Sequence, residues 1–187
     1  MGYDEWKARF VDGTMDNSDL KLYTDEYGSR SYGKTPNNEF TSSGNGGIII
    51  SGAVTGALDS DSKEAFEHAE RYYEAVRKMS SGVKRVSKNT GFKEEHISLV
   101  KEHLFLKKHD LESGKNIYFY PDYDIAESWQ RLIDGKNIQE HDLILIKHEY
   151  LEQALMNRRG LSQREAHSRA EKFYNYKVAV EKFIGGK

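Results

Sequence analysis

From Asp59 onward, apolar residues recur at the three- and four-residue spacing of helices that bury one face. In SKEAFEHAERYYEAVRKM, Ala65, Ala69, Tyr72, Val76 and Met79 fall on one side and predict a first helix. A short second helix stops at Asn89-Thr90-Gly91, glycine being a favoured residue just past a helix end. FKEEHISLVKEHLFLKKH places Ile97, Val100 and Leu104 on one face of a third. The aromatic stretch KNIYFYPDYD ends at Pro121, which disfavours helix in the residue before it, and reads as an extended link or short strand. Asp122 or Asp124 can cap the next helix, whose inner face is Ile125, Trp129 and Leu132 and whose stop is Gly135. A longer helix follows from about residue 140 to 158 and ends at Gly160. Ser162 and Glu165 then form a capping box for QREAHSRAEKFYNYKVAVEKF, predicted as one long final helix.

Residues 1–58 break this pattern. They hold nine of the 16 glycines and Ser, Thr and Asn clusters such as YGSRSYGKTPNNEFTSSGNGG, a composition with little to bury. Within them, the β-branched run at 48–54, flanked by glycine, predicts a short strand or an apolar strap. The fold expected is therefore mainly α. A single domain of about five to six helices over residues 59–187 follows a Gly/Ser/Asn-rich, largely extended segment carrying one short strand. No internal repeat is visible.

Composition narrows the chemistry. The chain of 187 residues, 37% hydrophobic, suffices for one core. Charged residues make up 31% with a net charge of -2 and a mean hydropathy of -0.80, which predicts a soluble protein with a mixed-sign surface. No overall field attracts polyanions, so a nucleic-acid partner would have to use local basic runs such as VRKMSSGVKR, LKKH or NRR; scattered solvated charge explains these equally well. Without cysteine there is neither a disulfide nor a thiolate metal site. The longest apolar run, GGIIISGAV, falls far short of the roughly 20 residues that span a bilayer, so no membrane partner is expected. No secretory leader pattern opens the chain, and MGYDEWKARF and the closing GGK read as cut points within a longer polypeptide. No phosphate-cradling glycine loop, serine nucleophile elbow or dinucleotide fingerprint is present.

The stretch HDLILIKHEYLEQAL carries the main chemical signal. On a helical wheel His148 and Glu152 lie at the centre of the apolar arc formed by Ile144, Leu145, Leu151, Leu155 and Met156. Burying either without a partner costs several kcal/mol, so both need one. Glu149, a quarter-turn away, reads as a supporting group or general base. HEYLE matches the zincin pattern only in its first two letters. His96 and His103 share a face with Val100, and His167 flanks the face of Ala170 and Tyr174, whereas His68, His109 and His141 read as surface residues.

Three readings stay open. His103, His148, Glu152 and His167 can hold zinc, manganese or nickel in a His/carboxylate site. Without metal, His148 with Glu149, Glu152 and His103 can work as general acid and base, with Arg131 or a lysine stabilising a phosphate oxyanion. A buried, satisfied ion pair is the third. Arg131 lies opposite Trp129's inner face and otherwise reads as solvated surface, while Trp129 reads as core. Asp122-Tyr123-Asp124 suits either a hard cation or helix capping, and NTGFKEEHISLVKEHLF has a faint helix-turn-helix character.

The region from Tyr72 to Tyr176 resembles a C-terminal domain of phage head-morphogenesis (minor capsid) proteins and bacterial polymorphic toxins. The blocks HISLVKEHLFLKKHDL, PDYDIAESWQRLIDGKNI, HDLILIKHEYLEQALM and EAHSRAEKFYNY, in that order and spacing, carry the resemblance. It implies an effector-like tail of a longer polypeptide, carried by a phage particle or secretion system and virion-associated or delivered into a bacterial cytoplasm. The implied partners are nucleic acid or another bacterial target, and a capsid or carrier polypeptide. Positions of chemical character within the blocks are His103, His109, Trp129, Arg131, His148, Glu149, Glu152 and His167. A His/Glu hydrolase of nuclease type, or a non-enzymatic module of the phage head, is the function expected.

Overall fold

The computed structural model describes residues 55–186, and the strand predicted at 48–54 lies outside them. Seven α-helices and a two-stranded hairpin make up this region. The helices are α1 (Lys63–Lys78), α2 (Gly82–Thr90), α3 (Glu94–Lys101), α4 (Tyr123–Asp134), α5 (Glu140–Arg159), α6 (Gln163–Glu171) and α7 (Tyr176–Gly185). α3 runs directly into a π-helical turn, Glu102–Leu106, and the hairpin pairs β1 (His109–Leu111) with β2 (Gly114–Ile117) in antiparallel register. The mainly helical class is as expected, with more helices than the periodicity indicated.

Local chemistry sets most boundaries. Ser62, Asp122 and Ser162 accept hydrogen bonds from the first-turn amides of α1, α4 and α6, and Ser162 and Glu165 form the predicted capping box. Gly91, Gly135 and Gly160 close α2, α4 and α5 in the left-handed conformation that glycine adopts without strain. In α1 the buried residues are Ala65, Ala69, Tyr73 and Val76; Tyr73 enters the core, where its ring meets Phe105 edge-on at 4.7 Å, and Tyr72 packs half-buried against that core. Trp129 is fully buried against Phe105, as expected of a core residue.

α5 is the axis of the domain. It packs against α3, α4, α6, α7 and the π-helical turn, and from His141 to Leu155 only Ile144 and Lys147 escape full burial. A helix enclosed on all sides buries polar residues on every face, which the single apolar stripe of the wheel does not convey. Its N-terminal polar group is therefore interior. Arg131 from α4 donates to both carboxylate oxygens of Asp142 at 2.8 and 2.6 Å, and Nη2 also donates to His141 Nε2 and Ser128 Oγ. Arg131 is 2% exposed and Asp142 fully buried, which corrects the solvated reading of Arg131. The surface readings of His109 and His141 are corrected likewise: both are buried, and His68 is half-buried with Nε2 3.1 Å from Glu127. Each has a polar partner within the fold, which permits burial that sequence periodicity cannot foresee.

The predicted final helix is two. α6 ends at Glu171 and α7 starts at Tyr176, with Asn175 as its N-cap accepting from the Val178 amide at 3.0 Å. Asn175 takes the bond that a continuous helix would give to the Tyr174 carbonyl. That carbonyl is left available to another donor.

Candidate functional site

Three imidazoles converge on one carboxylate where α5, α6 and the π-helical turn meet. Glu152 Oε1 accepts from His103 Nε2 at 3.2 Å and from the Gln163 amide at 3.2 Å. On the other oxygen, Oε2 lies 2.9 Å from His167 Nδ1 and 3.3 Å from His148 Nε2. His148 and Glu152 are one turn apart on α5 and both interior, as the wheel predicts. His103 comes from the π-helical turn, where the Lys107 amide bonds back to the Glu102 carbonyl and three consecutive residues, His103, Leu104 and Phe105, are buried. Three consecutive residues subtend a narrower arc in this wider turn than in an α-helix, so His103 and its apolar neighbours face inward together.

Backbone carbonyls orient one of these rings and the neighbouring ring of His109. His148 Nδ1 donates to the carbonyl freed at Tyr174 at 2.7 Å, so its Nε2 is the atom aimed at Glu152. His109 Nε2 donates to the His103 carbonyl at 2.9 Å, and its ring lies tilted against Phe119 and edge-on to His103, bracing the π-helical turn. Gln163 and the Tyr174 carbonyl are the parts of the site that sequence reasoning missed. Gln163 was legible in one respect, lying four residues before His167 on the same helix face. The carbonyl has no signal beyond the capping character of Asn175.

Glu149 is the second buried carboxylate. One of its oxygens lies 3.7 Å from His103 Nε2, beyond hydrogen-bond length, on the Oε1 side of Glu152. Of the remaining candidates, Arg131 is bound to Asp142, and His96 packs against Tyr150 with ring centroids 4.6 Å apart. Neither joins the cluster. Asp122 caps α4 and Asp124 accepts from Ser60, so the Asp122-Tyr123-Asp124 stretch serves capping.

The electrostatics follow from burial and proximity. Burial alone would raise Glu152, but hydrogen bonds from His103, His148 and His167 outweigh it and hold the carboxyl well below the usual range. Burial pulls His148 down, yet the bond to Glu152, the charge of Glu149 and the Tyr174 carbonyl raise it to about 9. Glu149 is pushed up to about 7 by burial and by the neighbouring Glu152 charge. His167 rises through its bond to Glu152, and its side chain, 45% exposed, forms the open side of an otherwise buried group. A carboxylic acid near neutrality can carry a proton in catalysis; once deprotonated, the same group is a metal ligand.

These shifts predict how metal-free protein responds to pH. His148 is raised above its ordinary 6.5, so its contribution to stability is fully present below 6.5 and is lost as pH climbs through about 9. The difference is on the order of 3 kcal/mol. Glu149, raised from 4.5 to about 7, has the same sign in a lower window, whereas the depressed Glu152 acts oppositely and removes stability only as pH falls below 4.5. Urea midpoints of chelator-treated protein should therefore fall steadily from about pH 5 to pH 9. A flat or rising profile would show that His148 is not held protonated.

Two overlapping sets of donors suit a metal: His148, Glu152 and His167, and His103, Glu149 and Glu152, each with ligand atoms within 4.8 Å of one another. In the first set the three separations are 2.9, 3.1 and 3.3 Å. Adjacent ligands around an ion with bonds of about 2.0–2.1 Å sit roughly 2.9–3.3 Å apart. Among the described residues no helix is long and apolar enough to cross a membrane. No family model matches the chain, and no curated protein or solved structure matches it significantly.

Proposed function

We propose that this chain is a metal-assisted hydrolase domain acting on a phosphodiester, with His148, His167 and Glu152 holding a divalent ion of the zinc, manganese or nickel type. The arrangement around His148 carries the reading. With Nδ1 committed to the Tyr174 carbonyl, Nε2 faces both Glu152 Oε2 and His167 Nδ1, the latter 3.1 Å away. If both imidazoles are protonated at these atoms, two N–H groups oppose each other across that gap. If His148 is neutral, its lone pair faces a carboxylate. One cation resolves either conflict by accepting all three donors. Donation of the second ring nitrogen to a backbone carbonyl is the usual way a metal-binding histidine is oriented.

His103 and Gln163 brace the opposite oxygen of Glu152, and the half-exposed His167 gives a substrate access. A bound ion would supply Lewis acidity to water and to a phosphoryl oxygen. The biological setting rests on the resemblance to phage-head and polymorphic-toxin C-terminal domains, which supports an effector delivered into a bacterial cell by a particle or carrier; the phosphodiester substrate rests on nuclease action being the common way a small soluble toxin kills. The test is expression of the chain in a bacterial host, with RNA and DNA hydrolysis assayed in Zn, Mn or Ni. Wild type should be toxic and active, and His148→Ala should lose both while its circular dichroism is unchanged. A harmless, inactive wild type in all three metals overturns the hydrolase. A second reading, a structural or DNA- or protein-binding module of the phage head, is favoured by one observation: three imidazoles and an amide can satisfy Glu152 with no ion. That module would be inert in both assays.

A further inference from the structure

We infer that the site is built for two divalent ions bridged by Glu152, the second held by His103, Glu149 and the Oε1 oxygen of Glu152; this rests on the metal reading above and specifies its nuclearity. The two oxygens of Glu152 face different donors. Oε2 meets His148 and His167, whereas Oε1 meets His103, with Glu149 on the same side. A carboxylate disposed in this way can bind one ion through each oxygen, as in sites whose metals lie about 3.5–4 Å apart.

The residue that demands the second ion is Glu149. An ion held by His148, His167 and Oε2 makes no use of it. Its carboxyl is buried, 3.7 Å from the imidazole it faces, and within 4.8 Å of a second buried carboxylate. Two carboxylates and one imidazole in so small a space are an energetically costly arrangement for a core that needs only packing. They form a coherent one around a cation, with His103 supplying nitrogen and the two glutamates oxygen. Gln163, which donates to Oε1, presents its carbonyl oxygen to that ion instead when its amide turns over. The π-helical turn then has a purpose beyond packing, since it delivers His103 from a separate helix to the second position.

Manganese(II) is the probe. Full-length chain dialysed against Mn(II) should retain two ions per chain by elemental analysis, and its electron paramagnetic resonance spectrum should be broadened by exchange between them. His103→Ala and, as a nearly isosteric control for folding, Glu149→Gln should each retain one ion with the six-line spectrum of isolated Mn(II). His148→Ala should also lose one ion. Two ions without exchange coupling, or only one ion in wild type, overturns the bridged pair while the single-ion reading stands. No retained Mn(II), and no Zn(II) or Ni(II) retained in its place, overturns both.

Discussion

Glu152→Gln is expected to weaken divalent-ion binding by more than about 100-fold, the upper end of what loss of a mere supporting hydrogen bond costs a metal site. Glutamine keeps the shape and one acceptor oxygen but removes the charge that three imidazoles share. The raised affinity of His148 for its proton depends in part on that charge, so the ring should titrate nearer its ordinary 6.5 in the variant. Isothermal titration with Zn(II) and Mn(II), together with NMR titration of His148, measures both effects. Wild-type affinity in Glu152→Gln would end the case for a metal at this cluster. An unchanged His148 titration would mean that Glu149 and the Tyr174 carbonyl, not Glu152, hold its proton.

Asp142→Asn should destabilise the domain by about 3–5 kcal/mol, because it removes the charge of the carboxylate to which the buried Arg131 guanidinium donates twice. For a domain of this size that corresponds to a fall in melting temperature of about 10–20 °C. The substitution preserves side-chain volume and the acceptor for the Gln139 amide that caps α5, so the loss is chiefly one of charge. Replacing the pair together, Arg131→Met with Asp142→Leu, should cost less than Asp142→Asn alone, since no uncompensated charge remains. Thermal denaturation of the three variants decides the matter. If the double variant is the least stable, the pair contributes attraction beyond its own desolvation. Metal affinity in Asp142→Asn should be unaltered in protein that remains folded, because Arg131 and Asp142 hydrogen-bond to each other and not to the histidine cluster.

How much of this site was legible depended on whether its parts share an element. His148, Glu149 and Glu152 lie on one helix, and a one-turn spacing brings two of them side by side wherever that helix packs. His103 and His167 stood out as histidines on apolar faces, but only the packing of the π-helical turn and α6 onto α5 brings them to the same carboxylate. Arg131 was misplaced for the opposite reason. Its position behind Trp129 implied solvent, yet α4 is nearly surrounded, and the guanidinium meets Asp142 from α5. The surface readings of His109 and His141 failed in the same way, because the partners that permit their burial lie on other elements of the fold.

Apolar periodicity and capping residues determined, from sequence alone, where most helices begin and end, since caps and left-handed glycines act within a few residues. They also determined that His148 and Glu152 face inward together. Tertiary structure decided the rest. The break at Asn175 freed the Tyr174 carbonyl to orient His148, and the wide turn at Glu102–Leu106 brought in His103. Enclosure of α5 made Glu149 a buried acid facing that imidazole. Each of these depends on which surfaces meet, a property of packing between elements that local sequence does not encode.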